Sequence, residues 1–134
     1  MISKNEVFTR VAEELREKYG QENIYIVGER VYAPKKFPCV WLVEIDDTPQ
    51  ERYTNLSLSD SQRISTFEVQ VFSNKTTGAT SETHEIFNEI RESFRAIGYR
   101  CSMSQPFDNG IDANIKRHIG RFTRIIGGAD TLPN

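Results

Sequence analysis

Residues 64–72 read Ile-Ser-Thr-Phe-Glu-Val-Gln-Val-Phe, so apolar and polar side chains alternate along this stretch. In an extended chain, successive side chains point to opposite faces. One face would therefore be apolar and the other polar: Phe67, Val69 and Val71 against Thr66, Glu68 and Gln70. This period of two predicts a β-strand that buries one face against the rest of the protein.

The residues after this strand predict a helix and two further strands. The helix can begin at a Thr80 or Ser81 cap and end at Gly98. Between these points an apolar stripe recurs at helical spacing: Ile86, Phe87, Ile90, Phe94 and Ile97. A strand, a turn and a final strand are expected to follow, at residues 99–104, 105–110 and 115–126.

Another amphipathic helix is predicted near the N-terminus. Ser3 and Glu6 have the spacing of a capping box, in which each side chain accepts a hydrogen bond from the other residue's backbone N–H. Gly20 is a suitable residue to end the helix. Between these residues one face is apolar: Val7, Phe8, Val11, Ala12, Leu15 and Tyr19. The helix is therefore expected to lie on a larger surface.

Two strands and a long polar segment are predicted between that helix and residue 64. Residues 23–27 form a short β-rich stretch, which Gly28-Glu29 can turn back as a hairpin. Residues 39–45 are almost continuously apolar, which is typical of a strand buried on both faces or of a face that meets another subunit. Residues 46–62 are mostly polar, which indicates an extended binding segment or arm.

These elements give the order α-β-β-(long arm)-β-α-β-β. Strands joined mostly by hairpins, with two helices on one face, define an α+β two-layer sandwich with a mostly antiparallel sheet. We expect a single domain over residues 1–127, with the arm at 46–63, followed by a flexible C-terminal tail at 128–134.

Composition limits the class of protein. A chain of 134 residues with a formal net charge of −2 is neither disordered in composition nor a generic nucleic-acid binder. No apolar run approaches the roughly 18–20 residues that span a bilayer, and no signal peptide is recognisable. Cys39 and Cys101 are far apart in sequence, and without a secretion signal we expect both thiols to be reduced.

The final predicted strand concentrates positive charge. It holds four Lys or Arg residues and no acid, whereas the rest of the chain holds thirteen basic and nineteen acidic residues. Its charges either protect a solvated edge strand from aggregation or face an acidic subunit or passing DNA. Alternation sends Arg117 and Arg121 to one face and the others to the opposite face. The candidate basic surface comprises Lys116, Arg117, His118, Arg121 and Arg124.

Motifs that carry chemistry are missing from the sequence. There is no phosphate-binding glycine loop, no paired Cys-x-x-Cys, no His-Glu-x-x-His and no nucleophile elbow. His84 is expected to be a polar residue at a helix start, and the positive surroundings of His118 disfavour a metal. Acids such as Asp46, Asp47 and Asp108 fall in turn-rich segments, where they commonly hydrogen-bond the backbone. We therefore expect no catalytic, metal or cofactor site, and no enzyme.

The pattern of elements resembles the tail terminator, or tail completion, proteins of long-tailed bacteriophages and related phage-tail-like particles. The resemblance covers nearly the whole chain as a succession of elements. After the N-terminal amphipathic helix come Pro-Cys-Val-Trp-Leu-Val-Glu-Ile at 38–45 and the long polar arm. Phe-Glu-Val-Gln-Val-Phe at 67–72 then leads into Glu-Ile-Phe-Asn-Glu-Ile at 85–90, and Asp-Ala-Asn-Ile-Lys-Arg at 112–117 runs into the last strand.

This resemblance implies a virion structural protein of the tail or neck, assembled in the host cytoplasm. Such proteins form a ring, commonly a hexamer, that caps the tail tube and offers a surface to the head or its connector while DNA passes through the centre. A closed ring needs two different contact faces on each subunit. The apolar strand and the arm are candidates for these contacts, through Trp41, Asp46, Asp47, Arg52, Tyr53, Leu56 and Leu58.

Other functions are compatible with the same sequence. A head–tail connector or head-completion protein of the phage neck has a similar size and style. A cytosolic nucleic-acid-binding module would use the basic last strand, although Phe122 is its only aromatic residue for base stacking. A small enzyme would need a concave pocket with perturbed carboxylates or histidines. The tail terminator is the leading hypothesis, because it gives a role to both the arm and the apolar strand.

Overall fold

The computed structural model describes residues 2–30, 34–46, 62–108 and 114–133. Its elements in chain order are α1 (Lys4–Tyr19), β1 (Tyr25–Val27), β2 (Cys39–Asp46), β3 (Arg63–Ser73), α2 (Ala79–Ala96), β4 (Arg100–Asp108) and β5 (Lys116–Ile126). A five-stranded mixed sheet with two helices is a small α+β fold, which confirms the predicted class. Neither of these helices is long and apolar enough to cross a membrane.

The sheet has the spatial order β1-β2-β3-β5-β4. Three of its neighbouring pairs are antiparallel, but β1 and β2 run parallel. The predicted hairpin at Gly28-Glu29 is therefore wrong, because parallel neighbours need a crossover connection instead of a tight turn. Residues 47–61, which include most of the predicted arm, lie outside the described residues. Both ends of that arm belong to strands, since β2 includes Asp46 and β3 begins at Arg63.

The N-terminal helix is built as its sequence predicts. Ser3 caps it, and its hydroxyl and the Glu6 carboxylate each accept a hydrogen bond from the other's backbone N–H, at 3.2 and 2.8 Å. Gly20 ends the helix with a φ of 93°, a conformation that glycine adopts without a steric penalty. The buried face carries Val7, Val11, Ala12 and Leu15.

The second helix has its N-cap position two residues before the nearer of the two predicted caps. The residue preceding α2 is Gly78, in a left-handed conformation, and no side chain caps the helix. The predicted caps Thr80 and Ser81 are instead inside the first turn. A side-chain bond from the Ser73 hydroxyl to Glu82, at 2.6 Å, ties this turn to the end of β3.

Both helices pack on the same face of the sheet, where the main core lies. Phe94 and Phe122 stack with ring centroids 4.5 Å apart, and Phe67 meets Phe94 at 5.6 Å. Gly120 of β5 lies directly under the Phe87 ring, so no side chain separates α2 from the sheet at that point. Strand residues of this core include Ile26, Val40, Leu42, Phe67, Val69, Val71, Phe122 and Ile126.

Two further boundaries differ from the predictions. β4 extends to Asp108, so residues 105–108 are strand and not turn. Pro106 is tolerated there because β4 is the terminal strand, where a missing N–H need not break a ladder. The explanation of β5 as a protected edge strand is wrong, because β5 pairs with β3 on one side and β4 on the other.

The residues after β5 lie against the domain. The Asp130 carboxylate accepts a hydrogen bond from the Gly127 N–H at 2.7 Å and pairs with Arg124 at 3.5 Å. Leu132 is partly buried against the main core. The predicted tail at 128–134 therefore includes two residues that contact the folded part of the chain.

Candidate interaction surface

The face of the sheet opposite the helices carries a second apolar cluster. Cys39 and Trp41 of β2 and Phe72 of β3 form its buried centre, and Trp41 is only 2% exposed. Half-buried apolar side chains surround this centre: Tyr25, Val27, Phe37, Val43 and Ile115. We call this surface, together with the side chains of β3 and β5 that lie on the same side of the sheet, the helix-free face. It confirms that β2 is buried on both sides over residues 39–42.

Trp41 also carries an unused hydrogen-bond donor. Its indole Nε1 is buried, and no acceptor for it lies among the described residues. Burial also raises the pKa of the neighbouring Cys39 thiol to about 11, so this cysteine stays protonated at neutral pH. Both cysteines are free, as predicted. The cluster is thus an apolar centre that contains one buried polar atom.

Charged and polar pairs continue the helix-free face across β3 and β5. Arg121 donates to Glu68 at 3.4 Å, and Arg117 donates to Gln70 at 3.3 Å. Glu68 and Arg121 sit directly opposite in the antiparallel register, whereas Arg117 is opposite Phe72 and reaches diagonally to Gln70. The Arg121 side chain is 47% exposed while that of Glu68 is 13% exposed. This part of the helix-free face therefore presents the positive charge of Arg121, while the Glu68 carboxylate beside it is largely buried.

The other candidate basic residues lie on the helix side of β5. Arg124 donates to the Ile97 carbonyl at the end of α2, at 2.7 Å, which places a cation at the negative end of the helix dipole. His118 is buried, and Lys116 lies half-buried near the start of α2. The predicted split of charges between two faces is confirmed, so the five residues do not form one continuous basic surface.

No protein-family model matches this chain, and no curated protein is significantly similar to it.

Several predicted contact residues cannot be placed on this surface. Trp41 is at its centre, and Asp46 ends β2. The remaining candidates, Asp47, Arg52, Tyr53, Leu56 and Leu58, lie outside the described residues. The helix-free face is thus defined by residues of β1, β2, β3 and β5 together with Phe37 and Ile115.

The structure brings the two histidines together, which the sequence did not indicate. The rings of His84 on α2 and His118 on β5 are 4.7 Å apart, and Phe87 lies 4.3 Å from His118. The His118 Nε2 is 2.8 Å from the Ser104 hydroxyl. Its Nδ1 is buried and has no hydrogen-bond partner among the described residues. A serine–histidine pair without a third residue to orient the imidazole lacks the usual activation of a nucleophile.

Burial lowers the pKa of His118 to about 4, and the nearby His84 and Arg91 contribute in the same direction. The imidazole is therefore neutral at pH 7 and a weak general base. No group of three or more possible metal ligands occurs in the described parts of the chain. The positive surroundings expected for His118 are thus present, through Arg91 on the adjacent helix.

We expect this imidazole to make stability depend on pH. The unfolded chain binds a proton near pH 6.5 and the folded chain only near pH 4, so stability falls as the pH drops through that interval. The loss should be of the order of 3 kcal/mol by pH 4. A proton NMR titration of the ring signals tests this, with His84→Gln used to assign them. A His118 midpoint at or above 6.5 would contradict the expected shift.

Sequence reasoning also missed how α2 separates its charges. Arg91 and Arg95 line a groove against β4, while Glu82, Glu85 and Glu89 lie on another face of the helix. Burial, reinforced by these three carboxylates, raises the pKa of Tyr19 on α1 to about 12, and Lys18 pairs with Glu89. The signal was available as two arginines four residues apart, on a different helix face from the acids.

Proposed function

We propose that this protein is a tail terminator: a virion structural protein that forms a ring, caps the tail tube and provides the surface for head or connector attachment. The observation that carries the proposal is the helix-free face. A small α+β unit covers one side of its sheet with helices and leaves the other with an apolar cluster next to ion-paired strands. Such a surface suits a specific protein contact, because its half-buried apolar rim supplies affinity and charged pairs supply orientation.

The contact geometry of a closed ring supports the same hypothesis. A ring of identical subunits uses heterologous contacts, so each subunit must present two unlike surfaces. The helix-free face offers one of them through its half-buried rim around Trp41. The polar residues 47–61, which join the two central strands β2 and β3, are proposed to supply the other. This sequence is long enough to reach a neighbouring subunit.

A head–tail connector or head-completion protein is the alternative within the same class, because it would use the same kind of surface against a different partner. A nucleic-acid-binding module receives less support. Arg117, Arg121 and Arg124 each donate to a protein acceptor and are divided between two faces. A phosphate-binding strip would need these cations on one accessible surface.

Pull-down with purified tail tube protein and connector protein of the same virus tests the proposal. We expect the tube protein to retain the chain and Arg121→Glu to weaken that retention, because the reversal places two acids side by side on the helix-free face. Arg30→Glu changes the charge equally at an exposed site on a loop and serves as the matched control. Retention by the connector alone would reassign the protein to the neck, and retention by neither would refute both.

A further inference from the structure

A cationic groove lies along the terminal strand of the sheet, away from the residues that define the helix-free face. It runs between α2 and β4 and has a volume of about 760 Å³. Its lining includes Arg91 and Arg95 from the helix, Arg100 from the strand, and the hydroxyl-bearing Ser102 and Ser104. Arg100, Ser102 and Ser104 are exposed. We call this feature the edge groove.

The cations of the edge groove are poorly neutralised. Arg100 makes no ion pair within the described residues, and neither does Arg91. The Arg91 guanidinium instead lies over the Phe87 ring at 5.5 Å and contacts the Cys101 sulfur at 3.6 Å. Its buried Nε has no hydrogen-bond partner in the part of the chain that the structure describes. Arg95 has only a solvent-exposed contact with Glu92, at 3.7 Å.

This accumulation of charge is not forced by the composition of the helix. The chain has a net charge of −2, and α2 contains the carboxylates that would neutralise the arginines. Two of them are paired elsewhere, Glu82 with Lys75 and Glu89 with Lys18 of α1. Arg95 and Arg100 are exposed and hydrated, and a carboxylate or phosphate from another molecule would form charge-assisted hydrogen bonds with them. The positive charge of the edge groove therefore favours binding of carboxylates or phosphates.

The geometry of β4 favours a polypeptide as that molecule. β4 is the last strand of the described sheet, and among the described residues no strand pairs with its outer edge. An open strand edge can hydrogen-bond the main chain of an extended peptide. The register shift between Cys101 and Met103, together with Pro106, limits the regular part of this edge to residues 103–105 and so disfavours pairing along a long strand. A short extended segment can still pair with that run.

We propose that the edge groove binds an extended, acidic segment of another protein, whose carboxylates pair with Arg91 and Arg100 while its main chain lies along β4. A nucleic acid fits less well. The groove lining offers no exposed aromatic side chain on which a base can stack, and Glu92 beside Arg95 would repel a continuous run of phosphates. Because this surface is separate from the helix-free face, the proposal stands or falls independently of ring formation.

Fluorescence anisotropy with a short labelled peptide, in which two adjacent Glu residues lie between Val residues, tests the proposal, because adjacent side chains of a strand reach Arg91 and Arg100 on the two faces of β4. We expect saturable binding to the full chain, and at least a roughly tenfold weaker affinity for Arg100→Glu. Arg100 is exposed, so this variant should remain folded, whereas Arg91→Gln also removes packing on Phe87. The matched control is Lys36→Glu, an equal charge change at an exposed position remote in sequence from the groove.

Two comparison ligands separate the alternatives. A peptide with Gln in place of Glu should bind at least about tenfold more weakly than the acidic peptide, because the arginines lose their counter-charges. A single-stranded oligothymidylate of equal charge should not displace the acidic peptide at equal concentration. The proposal is overturned by absent peptide binding, by an unchanged affinity in Arg100→Glu, or by an oligothymidylate that binds more tightly and loses affinity in that variant.

Discussion

Replacing Gly120 with alanine is expected to lower the free energy of unfolding by about 3 kcal/mol, near the upper end for an overpacked core. A Cβ at this position would lie 2.2 Å from Phe87 Cζ and 2.3 Å from Cε2. It would also lie 3.1 Å from the Met103 carbonyl oxygen, so the neighbouring strand limits relief on that side. The Phe87 ring is itself held in the core, and relief therefore requires α2 to move away from the sheet.

Urea unfolding of the variant, followed by circular dichroism, measures this loss. Gly28→Ala is the matched control, because its new Cβ would make an ordinary 3.4 Å contact with Phe8. Combining Gly120→Ala with Phe87→Leu should give a protein more stable than Gly120→Ala alone, because leucine lacks the two ring atoms that clash. A Gly120→Ala variant as stable as the Gly28→Ala control would show that α2 does not rest on Gly120.

Replacing Arg63 with alanine is expected to destabilise the fold by about 3 kcal/mol, the lower end for breaking a buried ion pair. Arg63 lies 3.3 Å from the Glu44 carboxylate, and the two side chains are 12% and 5% exposed. It also donates to the Ile2 carbonyl at 2.8 Å, and Glu44 accepts from the Ser65 hydroxyl at 2.7 Å. The variant would leave the Glu44 charge buried with only that hydroxyl as a described partner.

Two further variants show whether the buried charge is the cause. Adding Glu44→Gln to Arg63→Ala should recover part of the lost stability, since it removes the uncompensated carboxylate. Lys18→Ala breaks the exposed pair with Glu89 and should cost less than about 1 kcal/mol. Chemical unfolding of the four proteins gives the comparison. Equal losses for Arg63→Ala and Lys18→Ala would mean that burial of the Glu44 pair contributes nothing.

Local sequence signals predicted the parts of the fold that local interactions determine. The capping box of Ser3 and Glu6 fixed the start of α1, and Gly20 its end, because both depend on neighbours within a few residues. The alternation around Val69 predicted a strand whose apolar residues face the helices. Continuous apolarity in residues 39–45 predicted burial on both faces or a face that meets another subunit; residues 39–42 are buried, whereas residues 43–45 are half-buried.

Features that depend on contacts distant in sequence were not predictable in the same way. Parallel pairing of β1 with β2 and the interior position of β5 are set by how the sheet assembles, and neither leaves a local mark. Pro106 and its turn-forming neighbours suggested a turn, whereas the edge of the sheet accommodates them in β4. Tertiary context decided these positions against local propensity.

The same distinction between local and distant contacts applies to the candidate sites. Alternation correctly separated Arg117 and Arg121 from Arg124, because the side-chain period of a strand is local. The meeting of His84 with His118 and of Arg91 with Arg100 requires α2 to be laid along β4 and β5. Sequence spacing alone could not place residues from a helix and a strand around one groove.

The most direct test of the proposed ring is the molar mass of the protein, alone and bound to the tail tube protein. Light scattering after size-exclusion chromatography would measure the molar mass of the chain alone and of the chain mixed with tail tube protein of the same virus. We expect a ring of about 92 kDa, six copies of the 15.4-kDa chain, either free or bound to the tube. A strict 15.4-kDa monomer under both conditions would contradict the proposal that this protein caps a tail tube as a ring.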